Sequence, residues 1–185
     1  MPGSWKADIP NLVTFSRILF VPAIIAVLLE NTTERSIWAA ALFAAASITD
    51  YFDGYLARKF NVESNLGKFV DPVADKILVM STLIMMIPTR GISPILVILL
   101  LSRDTLVEGI RAVAAASNLI ISAGQLGKWK TLIQMFCIPA ALIENDVLGL
   151  PTKTIGIAGL WISVVLSMIS GFQYVRMFFL KAPIR

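Results

Sequence analysis

The stretch Asp50–Lys76 reads DYFDGYLARKFNVESNLGKFVDPVADK and places four aspartates in an otherwise strongly apolar part of the chain. Asp50 and Asp53 are three residues apart, and Asp71 and Asp75 are four residues apart. A spacing of three or four residues puts two side chains on the same face of an α-helix. The stretch therefore predicts two helices, each of which carries a pair of carboxylates on one face.

The composition of the whole chain is typical of an integral membrane protein. Of 185 residues, 57% are hydrophobic, which is too apolar for an ordinary soluble domain. The length fits a single domain over residues 1–185. The net charge of +4 favours anionic lipid or a phosphorylated substrate over nucleic acid in so apolar a chain. Because histidine is absent, proton transfer or metal binding must depend on carboxylates, lysines or the backbone.

Six helices of membrane-spanning length follow from the apolar runs when charged residues are admitted near helix ends, since a bilayer core takes about 20 helical residues. The six predicted helices lie near residues 9–30, 34–59, 67–89, 93–117, 126–148 and 153–181. Six spans place both termini on one side of the membrane. Of the 16 Lys and Arg residues, thirteen lie nearer that side, and the positive-inside bias makes it cytoplasmic. The sequence thus predicts an all-α, multi-pass protein of the cytoplasmic (inner) membrane.

The predicted helix ends place the two aspartate pairs at matching depths. Asp53 lies five residues before Arg58 near the end of the second helix, and Asp71 lies four residues after Gly67 at the start of the third. Asp50 and Asp75 each lie eight residues from the same two points. At about 1.5 Å per residue, antiparallel neighbours would bring all four together. We therefore expect a polar active-site cavity that faces the cytoplasm.

Four carboxylates in a medium of low dielectric constant need counter-charges, because they would otherwise repel one another and take up protons. All-oxygen ligands suit Mg²⁺, Mn²⁺ or Ca²⁺. Four aspartates fit two metal ions better than one, and two-metal sites stabilise the attacking and leaving oxygens of phosphoryl transfer. Gly54, Ala57 and Gly67 are small residues beside the aspartates. They either leave room for a bulky ligand or allow close helix packing.

The full pattern of the stretch is D-x2-D-G-x2-A-R-x8-G-x3-D-x3-D, and it resembles the signature of the CDP-alcohol phosphatidyltransferase family at every position. The positions are Asp50, Asp53, Gly54, Ala57, Arg58, Gly67, Asp71 and Asp75. The resemblance covers nearly the whole chain and implies a six-helix membrane fold and a homodimer. It also implies that the four aspartates bind two divalent cations, Mg²⁺ or Mn²⁺. Asp75 would in addition be the general base that takes the proton of an acceptor hydroxyl as this attacks the β-phosphate of a CDP-linked lipid.

The same resemblance implies where the CDP-lipid binds. Gly54, Ala57, Arg58 and Gly67 would contact it, together with Asn11 at the start of the first helix. Asn11, Thr14 and Arg17 share a helix face because they are three residues apart. Alternatively, Asn11 caps the helix and Arg17 extends to the lipid headgroups.

Two further polar clusters indicate the second substrate. SRDTLVEGIRA on the predicted fourth helix carries Arg103 and Arg111, and LGKWKT at the start of the fifth carries Lys128, Lys130 and Thr131. Four cations suit a phosphate-bearing acceptor, and we assign Thr14, Arg17 and these five residues to its phosphate. Alternatively, Arg103 pairs with Asp104 and Glu108 with Arg111 as purely structural ion pairs, and the lysines contact anionic lipid.

The run from Arg103 to Thr131 resembles the phosphatidylglycerophosphate synthases of the family, which implies CDP-diacylglycerol and sn-glycerol 3-phosphate as substrates. Phosphatidylglycerol, as in a cardiolipin synthase, and inositol phosphate are the alternative acceptors. A cation- or proton-coupled transporter is an alternative from another class. Transporter sites lie near the bilayer midplane between internal repeats. Here the acidic residues lie near one surface, and the sequence has no visible repeat.

Overall fold

The computed structural model describes residues 19–30, 32–60, 65–117, 119, 125–144 and 149–181, and within these ranges all side chains except those of residues 50–72 and 181. Every regular element in these ranges is an α-helix. The helices are α1 (Leu19–Leu29), α2 (Thr33–Phe60), α3 (Asn65–Arg90), α4 (Pro94–Ala116), α5 (Gln125–Leu142) and α6 (Thr152–Lys181).

The observed helix ends lie within two residues of the predicted ones, except at α5; the predicted start of the first helix lies outside the described residues. The prediction extends α5 to residue 148, whereas it ends at Leu142. In a continuing helix the backbone N–H of Glu144 would donate to the carbonyl of Ala140. It donates instead to Ser36 Oγ of α2, at 3.4 Å, so a contact with another helix accompanies the end of α5.

Contacts at the two ends of the bundle show that successive helices run in opposite directions. Arg90 at the end of α3 binds Glu144 just beyond α5, at 3.2 Å, and Glu144 also contacts Ser36 near the start of α2. We call this the far end of the bundle. Towards the opposite end, Lys76 of α3 pairs with Glu108 of α4. We call this opposite end, where α2 ends and α3 begins, the aspartate end.

The closest helix contact is between α5 and α6. A Cβ atom built on Gly156 of α6 would lie 2.7 Å from Cα of Ala141 on α5, which is closer than real Cβ contacts. One turn along, a Cβ on Gly159 would collide with Cys137 Sγ. Small residues at such positions let two helix backbones approach closely, a common arrangement in membranes.

Helix α6 buries polar side chains and exposes large apolar ones. Ser163, Ser167 and Ser170 are buried, whereas Phe172 is 72% exposed and Trp161 is also exposed. This distribution is the reverse of that expected in water and suits an apolar solvent. Within the described residues, Thr152–Leu180 is the one segment that is both long and apolar enough to cross a membrane by length and composition. The core between the helices is apolar and includes Phe43, Leu78, Leu83, Leu96, Leu100, Ile138 and Leu160.

Candidate active site

The two aspartate pairs lie at the same level of α2 and α3. Asp53 lies seven residues before the end of α2, and Asp71 lies six residues after the start of α3. Asp50 and Asp75 each lie ten residues from the same ends. Since α2 and α3 run in opposite directions, the helix register places both pairs at the aspartate end, about 10 and 15 Å along the helices.

The described side chains include only part of the predicted nucleotide and metal site. Asp75 is half-buried on α3. The side chains of Asp50, Asp53 and Asp71 lie outside the described set, as do those of Gly54, Ala57, Arg58 and Gly67, although all seven residues lie in helical segments. Asn11, Thr14 and Arg17 lie outside the described residues altogether.

Arg103 is held by groups on two helices. Its Nε donates to the carbonyl of Ser167 and its Nη2 to Ser170 Oγ, both at 2.9 Å. Its Nη1 donates to Asp104 Oδ1 at 3.0 Å. The Arg103–Asp104 pair that the sequence left open as a structural alternative is therefore present. The same guanidinium is also fixed on the polar face of α6.

Lys130 is buried beside the same carboxylate. Only 4% of the residue is exposed, and its ammonium contacts both oxygens of Asp104 on α4. Its backbone carbonyl accepts a bond from Ser163 Oγ at 3.5 Å. Two of the predicted phosphate-binding cations, Arg103 and Lys130, are thus brought together around one aspartate.

The other two predicted cations are placed differently. Arg111 lies over the ring of Tyr174 on α6, with its guanidinium carbon 5.9 Å from the ring centroid, within the range of a cation–π contact. Lys128 is exposed. Glu108 pairs with Lys76 of α3 and not with Arg111, so the sequence-based alternative of a Glu108–Arg111 pair is wrong.

Thr131 completes the predicted set for the acceptor phosphate. The residue is exposed, and its Oγ1 donates to the carbonyl of Gly127, one turn earlier in α5, at 3.2 Å. Such a bond within the helix satisfies the hydroxyl hydrogen locally. The hydroxyl oxygen can still accept a bond.

The structure adds residues that sequence reasoning did not assign to the site. Asp104 was noted only as a possible pair for Arg103, and the serines at 163, 167 and 170 were not singled out. Their spacing of four and three residues marks one face of α6. In the sequence, the signal that could have identified this face is a set of polar residues at helical spacing within the most apolar helix. Tyr174 continues it one turn after Ser170, and its side chain is buried.

A comparison with protein families supplies a match over most of the chain. The model of the CDP-alcohol phosphatidyltransferase family matches residues 7–169. The chain belongs to this family. The matched region contains the four-aspartate pattern and the polar clusters of α4 and α5.

Curated relatives match this chain over most of their length. A Rickettsia typhi protein is 36% identical over 170 residues, which is 91% of this chain and 96% of that protein. A Bacillus subtilis protein is 34% identical over 179 residues, covering 90% and 93%. Both carry the name CDP-diacylglycerol–glycerol-3-phosphate 3-phosphatidyltransferase. A protein of Arabidopsis thaliana with the same name and the number 2 is 34% identical over 182 residues, covering 91% and 78%.

Proposed function

We propose that this protein transfers the phosphatidyl group of CDP-diacylglycerol to sn-glycerol 3-phosphate and releases phosphatidylglycerophosphate and CMP. The observation that carries the proposal is the presence of two features on neighbouring helices. One is the family's aspartate pattern on α2 and α3, and the other is the cation cluster on α4 and α5. Relatives that are 34–36% identical over about nine-tenths of the chain are named for this reaction.

The reaction balances without an oxidant or a further substrate. The hydroxyl oxygen of the acceptor forms a bond to the β-phosphorus of CDP-diacylglycerol, while the bond from that phosphorus to the bridging oxygen breaks. CMP leaves with this oxygen and the electron pair. The hydroxyl proton passes to the carboxylate of Asp75, the proposed general base.

The donor set of α2 and α3 fits divalent cations. Asp50, Asp53, Asp71 and Asp75 offer only carboxylate oxygens, which Mg²⁺ and Mn²⁺ accept. The helix register puts one pair on each helix at equal depth, as two shared ions would need. When bound, two such ions stabilise the attacking and leaving oxygens. The carboxylates would hold these ions, and Asp75 would also accept the proton.

The CDP moiety would bind next to the aspartates. Gly54, Ala57 and Gly67 share the helices of the metal ligands, and their small side chains leave space for a nucleotide close to the backbone. Arg58 offers a guanidinium to the pyrophosphate, since Arg binds phosphate oxygens through two parallel N–H groups. Asn11, which lies outside the described residues, completes this proposed set.

The acceptor phosphate would bind to α4 and α5, together with Thr14 and Arg17. Together α4 and α5 carry four cations, Arg103, Arg111, Lys128 and Lys130, and two carboxylates. The excess of two positive charges would balance the two negative charges of a phosphate monoester that has lost both protons. The exposed hydroxyl of Thr131 would add a neutral hydrogen bond.

We further propose that the bundle crosses the cytoplasmic (inner) membrane six times, with the aspartate end, a polar cavity and both termini on the cytoplasmic side, and that it forms a homodimer. The lysines and arginines concentrate near the aspartate end, as the positive-inside bias requires. The apolar side chains exposed on α6 suit contact with lipid tails.

Release of CMP by the purified protein in detergent tests the function directly. With CDP-diacylglycerol and Mg²⁺, we expect release with sn-glycerol 3-phosphate and not with inositol phosphate, serine or phosphatidylglycerol. Chelation of divalent cations should abolish the release, and added Mg²⁺ or Mn²⁺ should restore it. Release with phosphatidylglycerol or inositol phosphate alone would overturn the acceptor assignment. No release with any acceptor would overturn the function and revive the transporter alternative.

Lys128→Ala is expected to raise the KM for sn-glycerol 3-phosphate about tenfold and to leave the KM for CDP-diacylglycerol unchanged. A hydrogen bond to a charged group contributes about 1.5–3 kcal/mol, and about 1.4 kcal/mol corresponds to tenfold. Steady-state CMP release at varied concentrations of each substrate measures both constants. Lys153 lies at the start of α6, at the far end of the bundle. Lys153→Ala is therefore the matched control and should change neither KM. A raised KM for CDP-diacylglycerol alone would show that Lys128 serves the other substrate.

A further inference from the structure

One carboxylate joins two cations that come from two helices. Asp104 Oδ1 accepts from Arg103 Nη1 at 3.0 Å, and both oxygens of Asp104 contact the ammonium of Lys130. Asp104 itself is partly exposed, whereas the side chains of Arg103 and Lys130 are 13% and 5% exposed. The three charges sum to one positive charge, so the cluster still attracts an anion.

The position of Lys130 depends on this carboxylate. Moving an ammonium group out of water costs several kcal/mol unless an opposite charge lies beside it. Asp104 is the carboxylate in contact with Lys130 in the described part of the chain. Without that charge, the ammonium would either lose its proton or turn away towards solvent, and in both cases a cation would leave this place.

Arg103 is fixed in orientation as well as in place. Each of its three guanidinium nitrogens has an acceptor, namely the Ser167 carbonyl, Ser170 Oγ and Asp104. Its aliphatic part passes close to Gly171, where a built Cβ would lie 3.0 Å from Arg103 Cγ. Each terminal nitrogen retains a second N–H. The guanidinium is therefore held rigidly, and it keeps N–H groups that have no acceptor among the described residues and could donate to a phosphate group.

We propose that Asp104 is a positioning residue that holds Arg103 and Lys130 ready for the phosphate of the acceptor. This inference rests on the proposed function, since it assigns a role within the acceptor site. Asp104 does not contact the acceptor phosphate, because two anionic groups would repel each other. Asp104 acts through the two cations, because it fixes their positions before the substrate binds.

Asp104→Asn tests this role, because the amide keeps the size of the side chain and removes its charge. We expect kcat/KM for sn-glycerol 3-phosphate to fall about 10- to 100-fold, mainly through KM, as is typical when a supporting residue is lost or reacting groups shift by about 1 Å. The KM for CDP-diacylglycerol should stay within about twofold. Asp104→Glu should restore part of the loss, since it returns the charge.

Glu144→Gln is the matched control for simple loss of an ion pair. Glu144 binds the fully buried Arg90 at the far end, so its amide variant also removes a carboxylate charge from beside a buried cation. We expect a lower melting temperature and an unchanged KM for the acceptor. If Glu144→Gln raised that KM as much as Asp104→Asn does, the effect of Asp104 would be a general loss of packing.

A double-mutant cycle separates positioning from an independent contribution. In the Lys130→Ala background, Asp104→Asn should change the KM for the acceptor much less than in the wild type, because residues that act through one another are not additive. An unchanged KM in Asp104→Asn, or full additivity, would overturn the role. If Asp104→Asn does not fold, as circular dichroism would show, the comparison uses Asp104→Ala and Asp104→Glu. A KM that is raised in Asp104→Ala and partly restored in Asp104→Glu would support the need for charge, and a wild-type KM in Asp104→Ala would refute it.

The wild-type acceptor screen keeps the two proposals apart. If the wild type releases CMP with sn-glycerol 3-phosphate but Asp104→Asn has an unchanged KM, the positioning role alone fails. If the wild type releases no CMP with any acceptor, the proposed function fails and the positioning role fails with it. If another phosphorylated acceptor is used, the same rise in KM for that acceptor is expected.

Discussion

Asp75→Asn is expected to lower the rate of CMP release by about 10²–10⁴-fold, the usual contribution of a general base. The amide has almost the same size as the carboxylate but cannot accept the proton of the acceptor hydroxyl. Asp75 lies half-buried on α3, directly before Lys76, which pairs with Glu108 of α4. This ion pair connects α3 to α4, which carries part of the proposed acceptor site. We therefore expect the variant to keep its fold.

Single-turnover CMP release with saturating substrates measures this effect on the chemical step, separately from product release. Titration with Mn²⁺ in the same detergent should show binding by the variant, because the other three aspartates remain. Glu34→Gln, an exposed acidic residue in the first turn of α2 at the far end, is the control and should keep wild-type rates. A wild-type rate in Asp75→Asn would rule out the general-base role. A complete loss of Mn²⁺ binding would instead make Asp75 primarily a metal ligand.

The helices were predictable because their ends are marked by local chemistry. Gly91, with a φ of 67°, and Pro94 separate α3 from α4, and Gly149, with a φ of 75°, precedes Pro151 at the start of α6. Glycine accepts positive φ at little cost, and proline favours the first turn of a helix. The end of α5 has no such marker at Leu142. It coincides with the contact between Glu144 and Ser36 of α2, which lies 108 residues earlier in the chain.

The site was predictable to the extent that it depends on spacing within one helix. Asp50 with Asp53 and Asp71 with Asp75 could be assigned to helix faces from their spacing alone. The partners of the charges on α4 could not be assigned in this way. Glu108 and Arg111 have the right spacing to pair within the helix, yet Glu108 turns to Lys76 on α3 and Arg111 to Tyr174 on α6. Their partners depend on how the helices pack.

This packing explains how so many charges can lie within an apolar bundle. Asp104 lies between two cations, and Glu108 lies beside a third. Each carboxylate lowers the cost of removing its cations from water. Because the two carboxylates do not balance all the cations, the cluster remains attractive to an anion. Charge pairing and substrate binding are thus compatible here, whereas the sequence presented them as alternatives.

Gly156→Leu is expected to destabilise the protein by about 3 kcal/mol or more, because α5 and α6 cannot keep their distance. The first side-chain carbon would already overlap Ala141, with its Cα at 2.7 Å and its Cβ at 2.8 Å. A flexible side chain could move aside, but a helix backbone cannot move without shifting the whole of α5. Overpacking costs about 1–3 kcal/mol even where side chains can adjust, and globular proteins have only about 5–15 kcal/mol of net stability.

Thermal unfolding in one detergent, followed by circular dichroism, measures this loss, and Gly156→Ala should give a smaller decrease in the melting temperature. Gly109→Leu on α4 is the matched control. Among the described residues, no neighbouring atom lies within 4 Å of a Cβ built there, and replacing a helical glycine gains up to about 1 kcal/mol of helix propensity. Its melting temperature should therefore equal or exceed that of the wild type. If Gly156→Leu had the melting temperature of the wild type, α5 and α6 could not be in backbone contact. The position of Lys130 on α5 beside Asp104 would then also be in error.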